Sequence, residues 1–280
     1  MIFIKNAILE HNVIRPTQPI DEIATMYETS MDNLPQELKV PKNVLDSFMI
    51  KDQLNPDFWS HDKLNPQIKN KLLKIAKDFF KRLELPKELK IKDVILVGSL
   101  ANYNWSEYSD VDLHIVVDFS KVDDQDILKK FFDSAKNMYN LRHNIKIMKH
   151  DVELYVQDVK EKLSAAAIFS VTNNKWVLKP QPVSFKLDKA LVKRKLSRIF
   201  DKIKIIKHNY DKNRYQKVVH DVDKIKEHIK KMRQSGLEKG GEFSTENIVF
   251  KILRRTDIME LLDTYKNKAY DKLVTLKEES

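Results

Sequence analysis

Three acidic side chains in this chain have a spacing that can do chemistry. Asp110 and Asp112 stand two residues apart in a stretch that alternates polar and apolar as far as Ile115. Successive side chains of a strand point to opposite faces, so Asp110, Asp112 and His114 share one face while Val111, Leu113 and Ile115 turn to the core. Two carboxylates side by side repel unless a cation joins them, which suggests a metal site. Oxygen donors of this kind suit Mg²⁺, which binds carboxylates, phosphate oxygens and water together. The third acid, Glu153, lies in a later alternating segment. There Val152, Leu154 and Val156 form one face and Asp151, Glu153 and Tyr155 the other. Asp151 competes with Glu153 for the third position. Glu153 is preferred because apolar residues flank it, whereas Asp151 follows an expected turn at Lys149-His150.

Upstream, the β-branched run Val94 to Val97 stops at Gly98-Ser99, and ten residues lie between Ser99 and Asp110. The run reads as a buried strand that ends at a special backbone position. Backbone N–H groups after Gly98, with the Ser99 hydroxyl, can receive phosphate oxygens where a turn or helix opens. A β-carbon at 98 would block close backbone approach. The chain has only four glycines, and the other three, Gly236, Gly240 and Gly241, fall in one stretch read as a loop. Three carboxylates converging from neighbouring strands can hold two divalent ions, one polarising an attacking hydroxyl, the other gathering a triphosphate.

The ordered set of Gly98-Ser99, Asp110-Val111-Asp112 followed by Leu113-His114-Ile115, and Val152-Glu153-Leu154 resembles the DNA polymerase β-like nucleotidyltransferase superfamily. The resemblance covers Val94 to Gln157. It implies an α+β fold, a nucleotidyltransferase core with a mixed β-sheet and flanking helices, followed by a C-terminal helical module. It implies Mg²⁺ as cofactor, two ions with Mn²⁺ as a substitute, held by Asp110, Asp112 and Glu153, the three catalytic residues. Gly98 and Ser99 would bind the nucleotide, an NTP and in first place ATP. The activity implied is transfer of a nucleoside monophosphate to a hydroxyl on an RNA end, a protein, a nucleotide or a small molecule. The alternative is a non-catalytic nucleotide- or nucleic-acid-binding module on the same fold. Many members carry an Arg shortly after the Gly-Ser; this chain reads Leu100-Ala-Asn-Tyr there and departs from that pattern. LNPDFW at 54–59, VELYVQD at 152–158, NNKWVLKP at 173–180 and GLEKGGEFSTEN at 236–247 look like segments of nucleotidyltransferases of large tailed phages.

The elements that must position these residues read as follows. Residues 1–64 form an N-terminal extension on the core, with a short helix over Asp21 to Met31. Residues 65–182 form the catalytic core. Asn65-Pro66 starts a helix with Ile68, Leu72, Ile75, Phe79 and Leu83 inside. A second helix over Asp124 to Tyr139 buries Ile127, Leu128, Phe131, Ala135 and Met138. Asn144 to Gln157 is a hairpin or bent strand, and Ala165 to Leu178 a short helix leading into a hairpin at Asn173-Asn174. Residues 183–280 form a basic helical domain. Its first two helices carry Val192, Leu196, Ile199, Ile203 and Ile206, then Tyr215, Val218, Val222, Ile225, Ile229 and Met232, and pack antiparallel about Asn209 to Asn213. Ser244 caps a further helix. His220 and His228 read as solvated, Arg254 and Arg255 as phosphate contacts or a solvated face, and Lys239 to Gly241 as a lid or a turn. Tyr103 and Trp105 read as core or rim residues rather than base-stacking ones.

Composition bounds the rest. With 280 residues and 42% apolar side chains the chain can bury a sizeable core. There is no cysteine, so no disulfide framework and no thiolate chemistry, which fits the cytoplasm, the host's if the chain is phage-encoded. No apolar run reaches the roughly 18 residues of a membrane span, so no membrane partner is expected. The opening MIFIKNAILEHN lacks the apolar stretch and cleavage site of a secretory leader. The net charge is +10, and it is localised: Lys186 to Ser235 holds seventeen Lys and Arg against six Asp and Glu. That excess points to RNA or another polyanion, or to a solvated lysine-rich face.

Overall fold

The computed structural model describes residues 40–163 and 165–276. The expected helix over Asp21 to Met31 lies outside the described residues. Two compact units emerge among them: residues 49–184, and residues 40–48 together with 185–276.

The first unit is built on a six-stranded mixed sheet. Its strands are β3 (Ile91–Val97), β4 (Val111–Val117), β5 (Lys146–Ile147), β6 (His150–Asp158), β7 (Ile168–Ser170) and β8 (Lys175–Leu178), in spatial order β5-β6-β4-β3-β7-β8. Strands β4 and β6 run parallel, and every other neighbouring pair is antiparallel. A two-stranded ribbon of β1 (Trp59–Ser60) and β2 (Lys63–Leu64) precedes helix α2 (Pro66–Arg82). Helix α2 starts where expected. The Asn65 side chain accepts a hydrogen bond from the Gln67 N–H at 2.9 Å, and Pro66 sits where a missing N–H costs nothing. Helix α3 (Gln125–Arg142) is capped by Asp124, which accepts from the Ile127 N–H at 2.9 Å. It supplies the crossover that lets β4 and β6 lie parallel.

Burial on β4 alternates without a break, with Val111, Leu113, Ile115 and Val117 fully enclosed. They join Ile68, Leu72, Ala76 and Phe79 of α2 and Leu128 and Phe132 of α3 in one core. The stripe on α3 differs from the expected one. Leu128 and Phe132 are buried, while Ile127 and Met138 are exposed at 40% and 42%. Ring contacts fix this phase: Phe132 stacks with Phe80 and Phe119, and Tyr139 meets Phe79 edge-on at 5.1 Å. The hairpin at Asn173-Asn174 forms, with Asn174 at φ 53°. No helix precedes it. The strand opens at Ile168, because Phe169 and Ser170 pair with Leu96 and Ile95 of β3, and ladder pairing outweighs the helix propensity of three alanines.

The second unit is helical. A short α1 (Lys42–Asp46) precedes α4 (Lys189–Asp211), α5 (Tyr215–Gly240), α6 (Thr245–Arg255) and α7 (Ile258–Val274). Asp188 caps α4 and Ser244 caps α6. The expected stripes of α4 and α5 are inside, except that Tyr215 and Met232 are only half-buried. The expected glycine loop is mostly helix. Helix α5 runs through Gly236 to Gly240, and a β-carbon at 236 would stand 2.5 Å from Glu246 Cβ and 2.7 Å from Ser244 Oγ. That glycine lets the start of α6 approach closely. Only Gly241, at φ 64°, makes a turn, so Lys239 to Gly241 ends one helix and leads into the next. Arg255 donates to Ser47 Oγ at 2.5 Å and lies over the Phe48 ring, which makes it a packing residue and not a solvated one.

Candidate active site

The acidic face follows from the strand register. Strand β4 lies between β3 and β6, with Asp112 opposite Val97 on one side and opposite Glu153 on the other. A slip of one residue would carry four fully buried side chains to the polar face, so the register is strongly specified. Asp110 precedes β4 by one residue and belongs to the same face as Asp112. Asp110 and Asp112 are half-buried, and Glu153 is exposed. Asp151 is tied to Lys146 across the β5–β6 hairpin at 3.3 Å, while Glu153 is the acid set against Asp112.

Gly98 ends β3 with φ 74° and ψ −161°, a backbone region essentially reserved for glycine. A β-carbon there would lie 1.8 Å from Asp112 Oδ2 and 2.8 Å from its Cγ. The Asp112 carboxylate occupies the space a side chain at 98 would take. The glycine therefore has a nearer reason than phosphate approach: it makes room for an acid on the next strand.

Ser99 opens a 3₁₀ turn over Ser99–Ala101, and its hydroxyl is 2.7 Å from the Ser109 hydroxyl. Ser109 Oγ accepts from the Ser106 N–H at 2.9 Å, and the Ser109 carbonyl meets His150 Nδ1 at 2.6 Å. A carbonyl only accepts, so His150 carries its proton on Nδ1. His150 is buried, with its ring against Phe58 at 5.6 Å. The residue before Asp110 is thus held at its side chain by Ser99 and at its carbonyl by the first residue of β6. Neither Ser109 nor His150 stands out in the sequence, because no spacing rule ties a serine to a histidine forty-one residues away.

Further along the same face, His114 Nδ1 lies 2.6 Å from Gln157 Oε1, and its ring packs on Tyr155 at 4.9 Å. Burial pushes the His114 pKa below its ordinary value, so the imidazole is neutral at neutral pH. Burial, and then the nearby Glu161 carboxylate, push the Tyr155 phenol up to about 12. The phenol donates to Glu161 Oε1 at 3.2 Å, and the Lys136 ammonium sits over its ring at 3.9 Å. Asp118 caps a short turn by accepting from the Ser120 N–H. Tyr103 packs against the core, and the Trp105 indole donates to the Gln53 carbonyl at 2.8 Å.

Among the described residues no three His, Cys, Asp or Glu side chains are gathered so as to hold a metal ion by themselves. Mg²⁺ does not ask for such a cage. It keeps several waters and binds one or two carboxylates plus substrate phosphates. The carboxylate oxygens of Asp110, Asp112 and Glu153 fit that demand in donor type.

Residues 69–168 match a family model described as a nucleotidyltransferase domain. The match spans α2, β3, Gly98-Ser99, β4, α3 and β6 and ends where β7 begins, so it lies wholly within the first unit. It supports nucleotidyl transfer as the general chemistry of that unit and the polymerase β-like superfamily as its relatives. No curated protein and no solved structure matches the chain. No helix among the described residues is long and apolar enough to cross a membrane.

Proposed function

We propose that this protein transfers a nucleoside monophosphate from an NTP, ATP in first place, to a hydroxyl acceptor. The register of Asp112 against Glu153, beside Gly98-Ser99, is the observation that carries this reading. The catalytic core is residues 65–182, and the cytoplasm is the compartment in which a cysteine-free chain of this kind works, the host's if a phage encodes it.

In the reaction the acceptor oxygen bonds to the α-phosphorus, the bond from that phosphorus to the bridging oxygen breaks, and pyrophosphate leaves. Asp110, Asp112 and Glu153 would hold Mg²⁺, two ions with Mn²⁺ as a substitute, whose charge offsets that of the triphosphate. Ser99 and the N–H groups of the turn it opens hold terminal phosphate oxygens. Glu153, the most exposed of the three acids, takes the proton from the acceptor hydroxyl. Ser109 and His150 position Asp110 and Ser99 through the hydrogen bonds described above.

The test uses each α-labelled NTP with the full chain in a cell extract. Label should appear in RNA, protein or a small molecule, and Asp112→Asn or Glu153→Gln should lower the rate by at least about 100-fold while the fold is kept. Equal turnover by Asp112→Asn and the wild type would sink the proposal. Mg²⁺-dependent ATP binding by calorimetry with no turnover on any acceptor would favour a non-catalytic nucleotide-binding module instead.

A further inference from the structure

On the helical unit, a cleft of about 480 Å³ opens between α4 and α5. Lys195, Arg198 and Lys202 line it from α4 at i, i+3 and i+7, one face of a helix, and His228 faces them from α5. Lys195 is engaged by Glu246 at 2.9 Å. Arg198 and Lys202 make no ion pair with any described residue, and Asp201 is the one carboxylate among the lining residues. Ile199 and Met232 give the cleft an apolar floor. His228 is exposed, in keeping with the sequence reading of it as solvated. Burial, then the ammonium groups of Lys202 and Lys195, hold its pKa below the ordinary value. Two cations without an ion-pair partner among the described residues, Arg198 and Lys202, therefore share this space with one carboxylate, Asp201.

The surrounding charge names the ligand class. The excess of Lys and Arg runs along both helices, and α4 alone, at 23 residues, is about 34 Å long. A single small anion would satisfy the cleft but not the rest of that length. A strand with a negative charge at every repeat matches both. A guanidinium fork beside an ammonium suits phosphate oxygens, and an apolar floor between them suits a sugar or base face. We infer that the α4–α5 cleft, centred on Arg198 and Lys202, binds the sugar-phosphate backbone of a single-stranded nucleic acid. On the nucleotidyl-transfer reading above, that strand carries the acceptor hydroxyl; its binding does not depend on that reading.

Fluorescence anisotropy with a fluorescein-labelled RNA of about 20 nucleotides, titrated at several salt concentrations, tests this. Arg198→Glu/Lys202→Glu in the full chain should weaken binding at least about tenfold. It should also flatten the slope of log K against log salt by about 1.4, as expected for two lost phosphate contacts on a single strand. The control Lys204→Glu/Lys217→Glu makes the same charge change on the same two helices away from the cleft, and should stay within about twofold of the wild type. Circular dichroism reports whether the fold is kept, and Arg198→Ala/Lys202→Ala gives a second, milder variant with the same direction of effect. Equal losses in the cleft and control variants would overturn the inference, since net charge alone would then explain binding. Unchanged binding by both cleft variants, or competition by polyglutamate as strong as by unlabelled RNA, would overturn it as well. Asp112→Asn should bind RNA like the wild type, so loss of turnover and loss of binding are read separately.

Discussion

At the scale of single residues, the tightest constraint on any of the glycines is between Gly98 and Asp112. Alanine at 98 would bear two costs. Its backbone would sit in a region that costs residues with side chains roughly 1–3 kcal/mol. Its β-carbon would also collide with the Asp112 carboxylate, 1.8 Å away in the native arrangement. Gly98→Ala should therefore lower stability to urea by more than the backbone term alone and abolish nucleotidyl transfer, because the acid must move. Adding Asp112→Ala should restore the part of the stability lost to the collision and leave the backbone part. A double-mutant cycle of urea midpoints measures this coupling directly. Additive losses would mean that the carboxylate does not occupy the space beside Gly98.

At the scale of elements, what the sequence reveals and what it conceals divide along physical lines. The period-two pattern from Val111 to Val117 identifies β4 and both its faces, and Asn65-Pro66, Asp124, Asp188 and Ser244 mark helix starts, because those signals are local. The parallel pairing of Asp112 with Glu153 is not local. It depends on a helix crossover and on which strand becomes the neighbour, and no residue near Glu153 announces it. The glycines mislead for a related reason. Gly236 sits inside a helix because α6 comes close, a contact made ten residues later in the chain by Glu246. The phase of α3 is set in the same way by rings on α2. At the ends of those two helices, Arg82 donates to His143 Nε2 at 3.0 Å and lies over the Tyr139 ring. A nitrogen that accepts from a guanidinium cannot also carry a proton. Burial, then the charges of Arg82 and Arg142, accordingly hold the His143 pKa below its ordinary value. The unfolded chain then takes up its proton first as pH falls. This contact's contribution is complete above the ordinary histidine pKa of about 6.5 and is lost as pH drops through the lower folded value. In an NMR titration, His143 should show a midpoint below 6.5, and Arg82→Met should move it upward. A midpoint at or above 6.5 with Arg82 present would refute the assigned contact.

At the scale of the whole molecule, chemistry and charge lie on different parts of the chain. The hard-oxygen face belongs to residues 49–184, and the basic stretch from Lys186 to Ser235, with its seventeen Lys and Arg against six acids, belongs to the second unit. The match to the nucleotidyltransferase domain model stops short of the basic helices, so its support for nucleotidyl transfer applies to the first unit. This division has a consequence for proteolysis. Between Leu178 and Lys189 the backbone belongs to no helix or strand, and most of its residues are exposed. Two lysines lie there. Lys179 precedes Pro180, which blocks trypsin, and it is paired with Asp62 at 2.7 Å. Lys186 precedes Leu187, and its side chain is exposed. Among other irregular lysine-bearing stretches, the one around Lys160 and Lys162 is tied back through Asp158, which accepts from the Glu161 and Lys160 N–H groups at 3.0 and 3.2 Å. The Lys51 N–H donates to the Tyr103 carbonyl at 2.7 Å, and the turn at Lys87 is closed by the Leu89 N–H on the Pro86 carbonyl at 3.0 Å. Cleavage needs about ten residues of chain to open locally, which costs least where backbone hydrogen bonds are fewest. Limited trypsin digestion should therefore make its first cut within the described residues after Lys186, giving a C-terminal fragment that begins at Leu187 by mass spectrometry. First cuts within β3 to β6, or within α4 and α5, would show that the chain does not divide between its two units at this point.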